Sequence, residues 1–583
     1  MELTATAEVL ALASVIFSPF AILVWFVVHF GVNVPIADDW PFAYFFHAIR
    51  FKTATFDDFF ALANEHRLFF PKLIWAPLAF ATHWNLKAEL ILDLVLALII
   101  FAVFYRIALH QAQLTGGGLL NTANFATSLF LFSLVQYETW LLGVMGAVLL
   151  VHALLALAIA VCFMERLHPW WRFVLAAVFC FIASFSMLQG LASWLAMVPC
   201  IFRLQRGERK FRKLYIWLLL FAASLALYSY HFKFTAWAGD TSSDFLGHPL
   251  RSAGFFLALL GAPFSWSDAA IPVSTACLLG GIVLLSFLGC LLMLRGYARN
   301  DVIAPWLSLG LFGLLYAAMV TVGRGSFGLG VALSLSRYIS ATIFVLIAAV
   351  QLGRVVCARR SAQAYLFFVG ALCALVTFSS IRAVSIGRQL KEERSHAKLF
   401  LELIRYIDPA TDRFKEGCLF PLFGPEGYTG WIRTPAESLN ELDFFHLASG
   451  VTFATPSSPD SGSFDSVDGS GDVLHLRRKD EVTVSGWALR PATRGTAKVV
   501  LISYGDQKTF IAATVVTWGG RGSPAALQRD PLYLHGPWMV SFPAKFLPAG
   551  DGALKAWVYD AAGKKFIRLP ESGGEKRFHV EAQ

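Results

Sequence analysis

Stretches of about twenty apolar residues recur along the chain, among them EVLALASVIFSPFAILVWFVVHF at 8–30 and KLYIWLLLFAASLALYSYHF at 213–232. A helix needs about that length to cross the hydrocarbon core of a bilayer. Inside hydrocarbon the backbone must satisfy its own polar groups, so each run is expected to be helical. Of 583 residues 57% are hydrophobic and only 15% charged, with a mean hydropathy of +0.60, which excludes an ordinary soluble globule. The first run has no basic segment before it and no A-x-A cleavage site, so it is read as a retained helix. The fold class expected is an α-helical polytopic membrane protein.

Run lengths predict about eleven transmembrane helices, beginning near residues 8, 87, 120, 141, 170, 190, 213, 270, 303, 336 and 364. An odd number sets the two termini on opposite sides. The basic loops MERLHPWWR, RLQRGERKFRK, RGYARN and GRVVCARR then share one face, the cytoplasmic one, and account for much of the net charge of +9 without any nucleic-acid partner. SAGFFLALLGAPF at 252–264 is too short to span and is read as re-entrant or interfacial. The opposite face receives the loop at 31–86, the loop at about 234–268, the GRGSFGLG turn and everything after about 384.

Residues 1–384 form the transmembrane domain, 385–455 a mixed segment and 456–472, PSSPDSGSFDSVDGSGD, a linker. From 473 to 583 short alternating or β-branched runs such as VTVSGWALRP, AKVVLISYG and ALKAWVYDAAGKKF, separated by turn residues, predict a β-sandwich on the outer face. Seven cysteines fall in or beside apolar runs and Cys418 stands alone, with no metal-type spacing. Low cysteine content and the absence of retention signals point to a bacterial inner membrane, the active face periplasmic.

Three outer segments carry chemistry. Asp38 and Asp39 in ADDW follow the first apolar run, where a carboxylate can act as a general base; alternatively one of them caps a helix beginning at Pro41. PFAYFFHAIRF and FDDFFALANEH have the aromatic spacing of interfacial helices. NEHRLFFPK gathers Glu65, His66, Arg67 and Lys72 beside Phe69 and Phe70, a set suited to a lipid-linked phosphate or to simple headgroup anchoring. GRGSFGLGVALSLSRY sets Arg324, Arg337 and Tyr338 about a glycine-rich turn, either to hold phosphate or as an ordinary tight turn. Gln136 and Glu138 of VQYETW, and Tyr230, His231 and Lys233, are weaker signals.

The layout of ADDW, NEHR and the distal GRGSFGLGVALSLSRY over residues 1–384 resembles the GT-C superfamily of polyprenyl-phosphate-dependent glycosyltransferases. The resemblance implies a donor that is a polyprenyl-phosphate-linked sugar, a glycan or glycolipid acceptor, and transfer with inversion. It makes Asp38 the base, with Asp39 as the second acid of the pair. Arg67, Arg324, Arg337 and Lys72, with His66 and Tyr338, are then donor-site residues. Asp39 and Glu65 would position the acceptor or bind a divalent cation such as magnesium or manganese, which some members of the superfamily use and others do not. The WWD motif of the oligosaccharyltransferase branch is absent, so protein N-glycosylation is disfavoured. VSGWALRP, the RDP at 529–531, GPW and KAWVYD resemble an immunoglobulin-like or carbohydrate-binding β-sandwich. A lipid-linked glycan polymerase or ligase, and a flippase for lipid-linked sugars, remain open alternatives at this point. A flippase predicts charges at the bilayer midplane, and a polymerase or ligase a large outer loop late in the chain.

Overall fold

The computed structural model describes residues 2–115, 117–204, 211–232, 245–264, 272–295, 300–358, 361–408, 429–455, 462–467, 473–489, 497–515 and 536–582. Lys233, Cys418 and the RDP at 529–531 lie outside them. The chain divides into two compact units, one of Met1–Val32 with Ala54–Lys391 and the other of Asn33–Thr53 with Glu392–Gln583.

Among the described residues eight helices, from Leu10–Phe30 to Ala362–Glu402, are long and apolar enough to cross a membrane. The spans expected near 120, 170 and 190 are shorter. Leu120–Leu131 has 12 residues and Pro169–Ser184 has 16, which at 1.5 Å per residue reach about 18 and 24 Å. The third is broken into Leu188–Leu191, Ala192–Ala196 and Val198–Arg203. Pro199 lacks the amide that would continue the ladder. Gly190 also packs so closely on a neighbouring turn that a Cβ there would lie 1.8 Å from the Ala183 carbonyl oxygen.

The segment read as re-entrant or interfacial is a 13-residue helix, Pro249–Gly261, whose Phe255, Ala258, Leu259 and Leu260 are buried inside the unit. Its partner is the Val273–Met293 helix. A Cβ on Gly280 would lie 1.9 Å from Leu257 O and one on Gly261 1.9 Å from Ala276 O, so the two backbones touch as small-residue helix pairs in membranes do. The segment therefore packs closely against a neighbouring helix. At one end of the unit Gln111 Nε2 donates to the carbonyls of Asp301 and Val302, and Gln111 Oε1 accepts from Trp306 Nε1. Every residue of the Ile339–Cys357 helix from Ile339 to Val355 is buried.

In the second unit the segment Trp40–Arg50 forms the expected helix, but its apolar side is not left for lipid. Trp40, Phe42, Phe45 and Phe46 are buried, and Phe46 meets Phe444 edge-on just beyond the Thr429–Glu441 helix. The remainder of the unit is rich in β-structure. One sheet orders Thr452–Ala454, Lys565–Arg568, Gly550–Asp560, Lys576–Val580 and Val473–Leu476, with Val499–Tyr504 and Ala512–Val515 joined through Gly550–Asp560. A three-stranded sheet orders Gly462–Val467, Glu481–Ala488 and Pro537–Pro543. One core holds both together, with Phe464, Val484, Trp538 and Phe542 meeting Val500, Ile502, Ala556 and Phe578. Gly462–Val467 lies within the expected linker yet is a strand, because Phe464 alternates inward against Trp538 and its amide bonds Pro570 O.

Candidate functional site

The acidic pair belongs to the second unit. Ile36 is extended, Ala37 turns into the left-handed region at φ 46°, and a short 3-10 turn over Ala37–Asp39 leads into the helix at Trp40. A non-glycine residue in that region costs roughly 1–2 kcal/mol. Asp39 offsets that cost: it is 3% exposed and its Oδ2 accepts the Ile36 amide at 3.0 Å. Pro41 falls in the first turn of the helix, where a missing N–H is harmless. The side chain of Asp38 is exposed. Helix entry and an accessible carboxylate are thus divided between two neighbouring residues.

The remaining candidates belong to the first unit. NEHR is not the end of an interfacial helix. The helix over Phe56–Phe60 stops at Ala61, and Leu62–Ala63 pairs antiparallel with His66–Arg67 across a two-residue turn in which Asn64 is left-handed, a conformation asparagine tolerates. Within this hairpin Arg67 is a clamp. Its Nε donates to Tyr228 O at 2.9 Å, Nη1 to Phe60 O at 2.6 Å and Nη2 to Tyr230 O, and the guanidinium lies 4.2 Å over the Phe60 ring. The Tyr228 hydroxyl donates to Glu65 O at 2.7 Å and accepts from Arg67 N. Arg67, expected among the phosphate ligands, instead ties the hairpin to the end of the Arg212–Ser229 helix; burial pushes its pKa down.

Two arginines do meet carboxylates. Arg324 Nη2 lies 3.4 Å from Glu65 Oε2, joining the glycine-rich turn to the hairpin. Arg337 Nη1 donates to Glu138 Oε1 at 3.1 Å, while Arg337 N and Ser336 Oγ donate to Oε2 at 3.1 and 3.3 Å. The Glu138 amide in turn donates to Ser336 Oγ at 3.0 Å. The Arg337 guanidinium is 5.6 Å from the Tyr338 ring centroid. Of the four glycines in the turn, Gly328 has a backbone that needs glycine, at φ 97°.

His66 is half-buried in the hairpin. Lys72, 7% exposed on the Phe69–Thr82 helix, donates through Nζ to Asp58 O at 2.7 Å. Burial pushes its pKa down to about 8, against a smaller upward pull from Asp58. The amide and hydroxyl of Thr55 hold the Asp58 carboxyl below the usual range. Asp39 and Glu65, the possible cation ligands, are engaged with Ile36 N and Arg324 respectively. Among the described residues no group of three or more His, Cys, Asp or Glu side chains is arranged to hold a metal ion.

Sequence reading passed over Glu89 and Asp93, which are buried one turn apart at the start of the Leu86–Thr115 helix. Glu89 Oε1 accepts from Trp84 Nε1 at 2.9 Å. A Cβ on Gly143 would come within 2.3 Å of Glu89 Oε2 and one on Gly146 within 2.6 Å of Asp93 Oδ1, so both glycines admit carboxylates. Asp93 thus lies at the positive end of the Gly146–Cys162 helix dipole. The signal was present in KAELILDL: two acids four apart inside an apolar run. Comparison with protein-family models, curated proteins and solved structures finds no match for this chain.

Proposed function

We propose that this chain is a membrane glycosyltransferase that moves a sugar from a polyprenyl-phosphate donor to a glycan or glycolipid acceptor. The observation carrying this reading is the divided acid pair. Asp39 is buried and fixes a strained turn, which presents Asp38 as an exposed carboxylate directly after the first apolar helix. Backbone strain held in place by a buried bond is the sort of feature that positions a reactive group.

In the proposed step the acceptor hydroxyl oxygen attacks the anomeric carbon, its proton passes to Asp38, and the bond from that carbon to the phosphate oxygen breaks with the electron pair leaving on polyprenyl phosphate. Configuration inverts. Arg324 and Arg337 are assigned to the phosphate charge that grows on departure, an electrostatic role that usually outweighs the others in such transfers. Lys72 and Tyr338 are assigned to donor binding, and Arg67 to holding the hairpin that carries Glu65 and His66. No divalent cation is assigned to a residue set.

Asn33–Thr53 and Glu392–Gln583 share one unit, and our reading sets both on one side of the membrane. The eleven-span reading sets ten crossings between these segments, and it assigns this side to the periplasm of a bacterial inner membrane. The test is transfer of labelled sugar from a polyprenyl-phosphate donor in membranes holding the parent or Asp38→Asn at equal folded amounts. Removing a general base is expected to lower the rate by about 10²–10⁴-fold. Parental rates from Asp38→Asn and Asp38→Ala alike would sink the assignment.

A further inference from the structure

Far along the Ile339–Cys357 helix from Arg337, a second arginine is buried in the bundle. Arg354 is 1% exposed, in the last turn of that helix, and its Nε and Nη2 are buried without a hydrogen-bond partner among the described residues. A guanidinium carries its charge at every accessible pH and has no acceptor capacity of its own. Such a group in a membrane-spanning segment is stable only with a partner that accepts hydrogen bonds.

The register of the neighbouring helix shows what surrounds it. Gln351 Nε2 donates to Thr127 Oγ1 at 2.9 Å and to Ala123 O at 3.5 Å, both on the Leu120–Leu131 helix. Near the other end of the same pair of segments, Glu138 meets Ser336 and Arg337. The two helices therefore run antiparallel. Three residues on from Gln351 is about 4.5 Å along the axis on nearly the same side, so Arg354 lies at the level of the first turn of the Leu120–Leu131 helix. That first turn has no side-chain cap, so its positive end faces the same region. Asn124, just after this turn and 1% exposed, has Nδ2 buried without a partner among the described residues, as has Gln351 Oε1.

A cationic fork and an amide donor, each with buried donors that no described residue accepts, lie near the level of a helix start without a side-chain cap, an arrangement opposite to what a folded chain leaves by default. We propose that the region between Arg354 and the start of the Leu120–Leu131 helix is a phosphate-binding site, at the end of the bundle opposite Glu138 and Arg337. The shared chemistry is a phosphate oxygen set accepting from Arg354 Nε and Nη2 and from Asn124 Nδ2. It comes either from an anionic lipid headgroup or from free phosphate. The site is independent of the glycosyl transfer proposed above, because it lies on the other end of the helix and uses none of the same residues.

The experiment uses the full-length protein, delipidated in detergent, with parent, Arg354→Gln, Arg354→Lys and Asn124→Ala compared. Thermal unfolding and native mass spectrometry are read against phosphatidylglycerol, phosphatidylcholine and inorganic phosphate. Phosphatidylglycerol is expected to bind and stabilise the parent, with affinity reduced about tenfold or more in Arg354→Gln and less in Arg354→Lys, since charged hydrogen bonds are lost. Protection by inorganic phosphate at equal strength identifies the free anion as the source. If Arg354→Gln does not fold, Asn124→Ala still weakens binding in a folded protein. Equal binding of phosphatidylcholine and phosphatidylglycerol, no binding by the parent, or affinities unchanged in every folded variant overturns the site.

Discussion

His47 Nε2 lies 2.9 Å from Glu441 Oε2, joining the helix that follows the acidic pair to a helix near the chain's other end. The pair is largely exposed, so it contributes less than about 1 kcal/mol. The apolar contact beside it matters more. Phe46 is fully buried and faces Phe444, and Phe46→Ala is expected to destabilise the second unit by about 3–5 kcal/mol. Glu441→Gln should leave the unfolding midpoint almost unchanged. Thermal melts of the two variants check this, and equal shifts would show that the charge pair carries the contact.

The two aspartates should separate in the same kind of measurement. Asp39→Ala removes a charged acceptor from the buried Ile36 amide and is expected to cost about 1–3 kcal/mol. Asp38→Ala, at an exposed position, should stay within about 0.5 kcal/mol of the parent. A stability loss from Asp38→Ala as large as that from Asp39→Ala would reverse the division of roles drawn from the turn.

Periodicity made the long helices legible, because an apolar run of twenty residues has few other outcomes, and alternation in Glu481–Ala488 and a β-branched run in Val499–Tyr504 made those two legible as strands. What it did not carry is pairing. The Trp40–Arg50 helix looks interfacial in sequence, since nothing local reveals that Phe444, roughly 400 residues later, covers it. NEHR reads as helical until the left-handed Asn64 folds it back. Arg67 looked like an anion ligand for the same reason: its three carbonyl partners come from Phe60, Tyr228 and Tyr230, two of which are remote in sequence. Glu138 was visible as a weak signal, while its hold on Arg337 needed the tertiary fold.

Glu138 fixes Arg337 through both its guanidinium and its backbone amide. Glu138→Ala is expected to release that arginine and lower kcat/KM for the polyprenyl-phosphate donor by about 10–100-fold, or about 1.4–2.7 kcal/mol. Ser336→Ala, which removes one weaker bond to the same carboxylate, should cost less than tenfold. Glu138→Gln keeps the shape and should fall between. Initial rates over a range of donor concentrations decide this: unchanged constants in Glu138→Ala would remove Arg337 from the donor site.

Lys72 supplies a test by pH. Burial lowers its pKa in the folded protein to about 8, below the ordinary value of about 10.4 that the unfolded chain retains. Between those values the unfolded chain binds the proton and the folded one releases it, so stability rises with pH across that window. Below about pH 8 both states are protonated and the full penalty of a buried ammonium is present. Lys72→Met lacks the term, so the parent should gain on the variant by about 2–3 kcal/mol between pH 7 and pH 10. The functional sign is opposite. An ammonium that holds donor phosphate is lost as pH rises through about 8, so the donor KM of the parent should climb there while that of Lys72→Arg stays level. Unfolding midpoints of parent and Lys72→Met across pH 7–10 read the first effect, and parallel profiles would mean that Lys72 titrates like a solvated lysine.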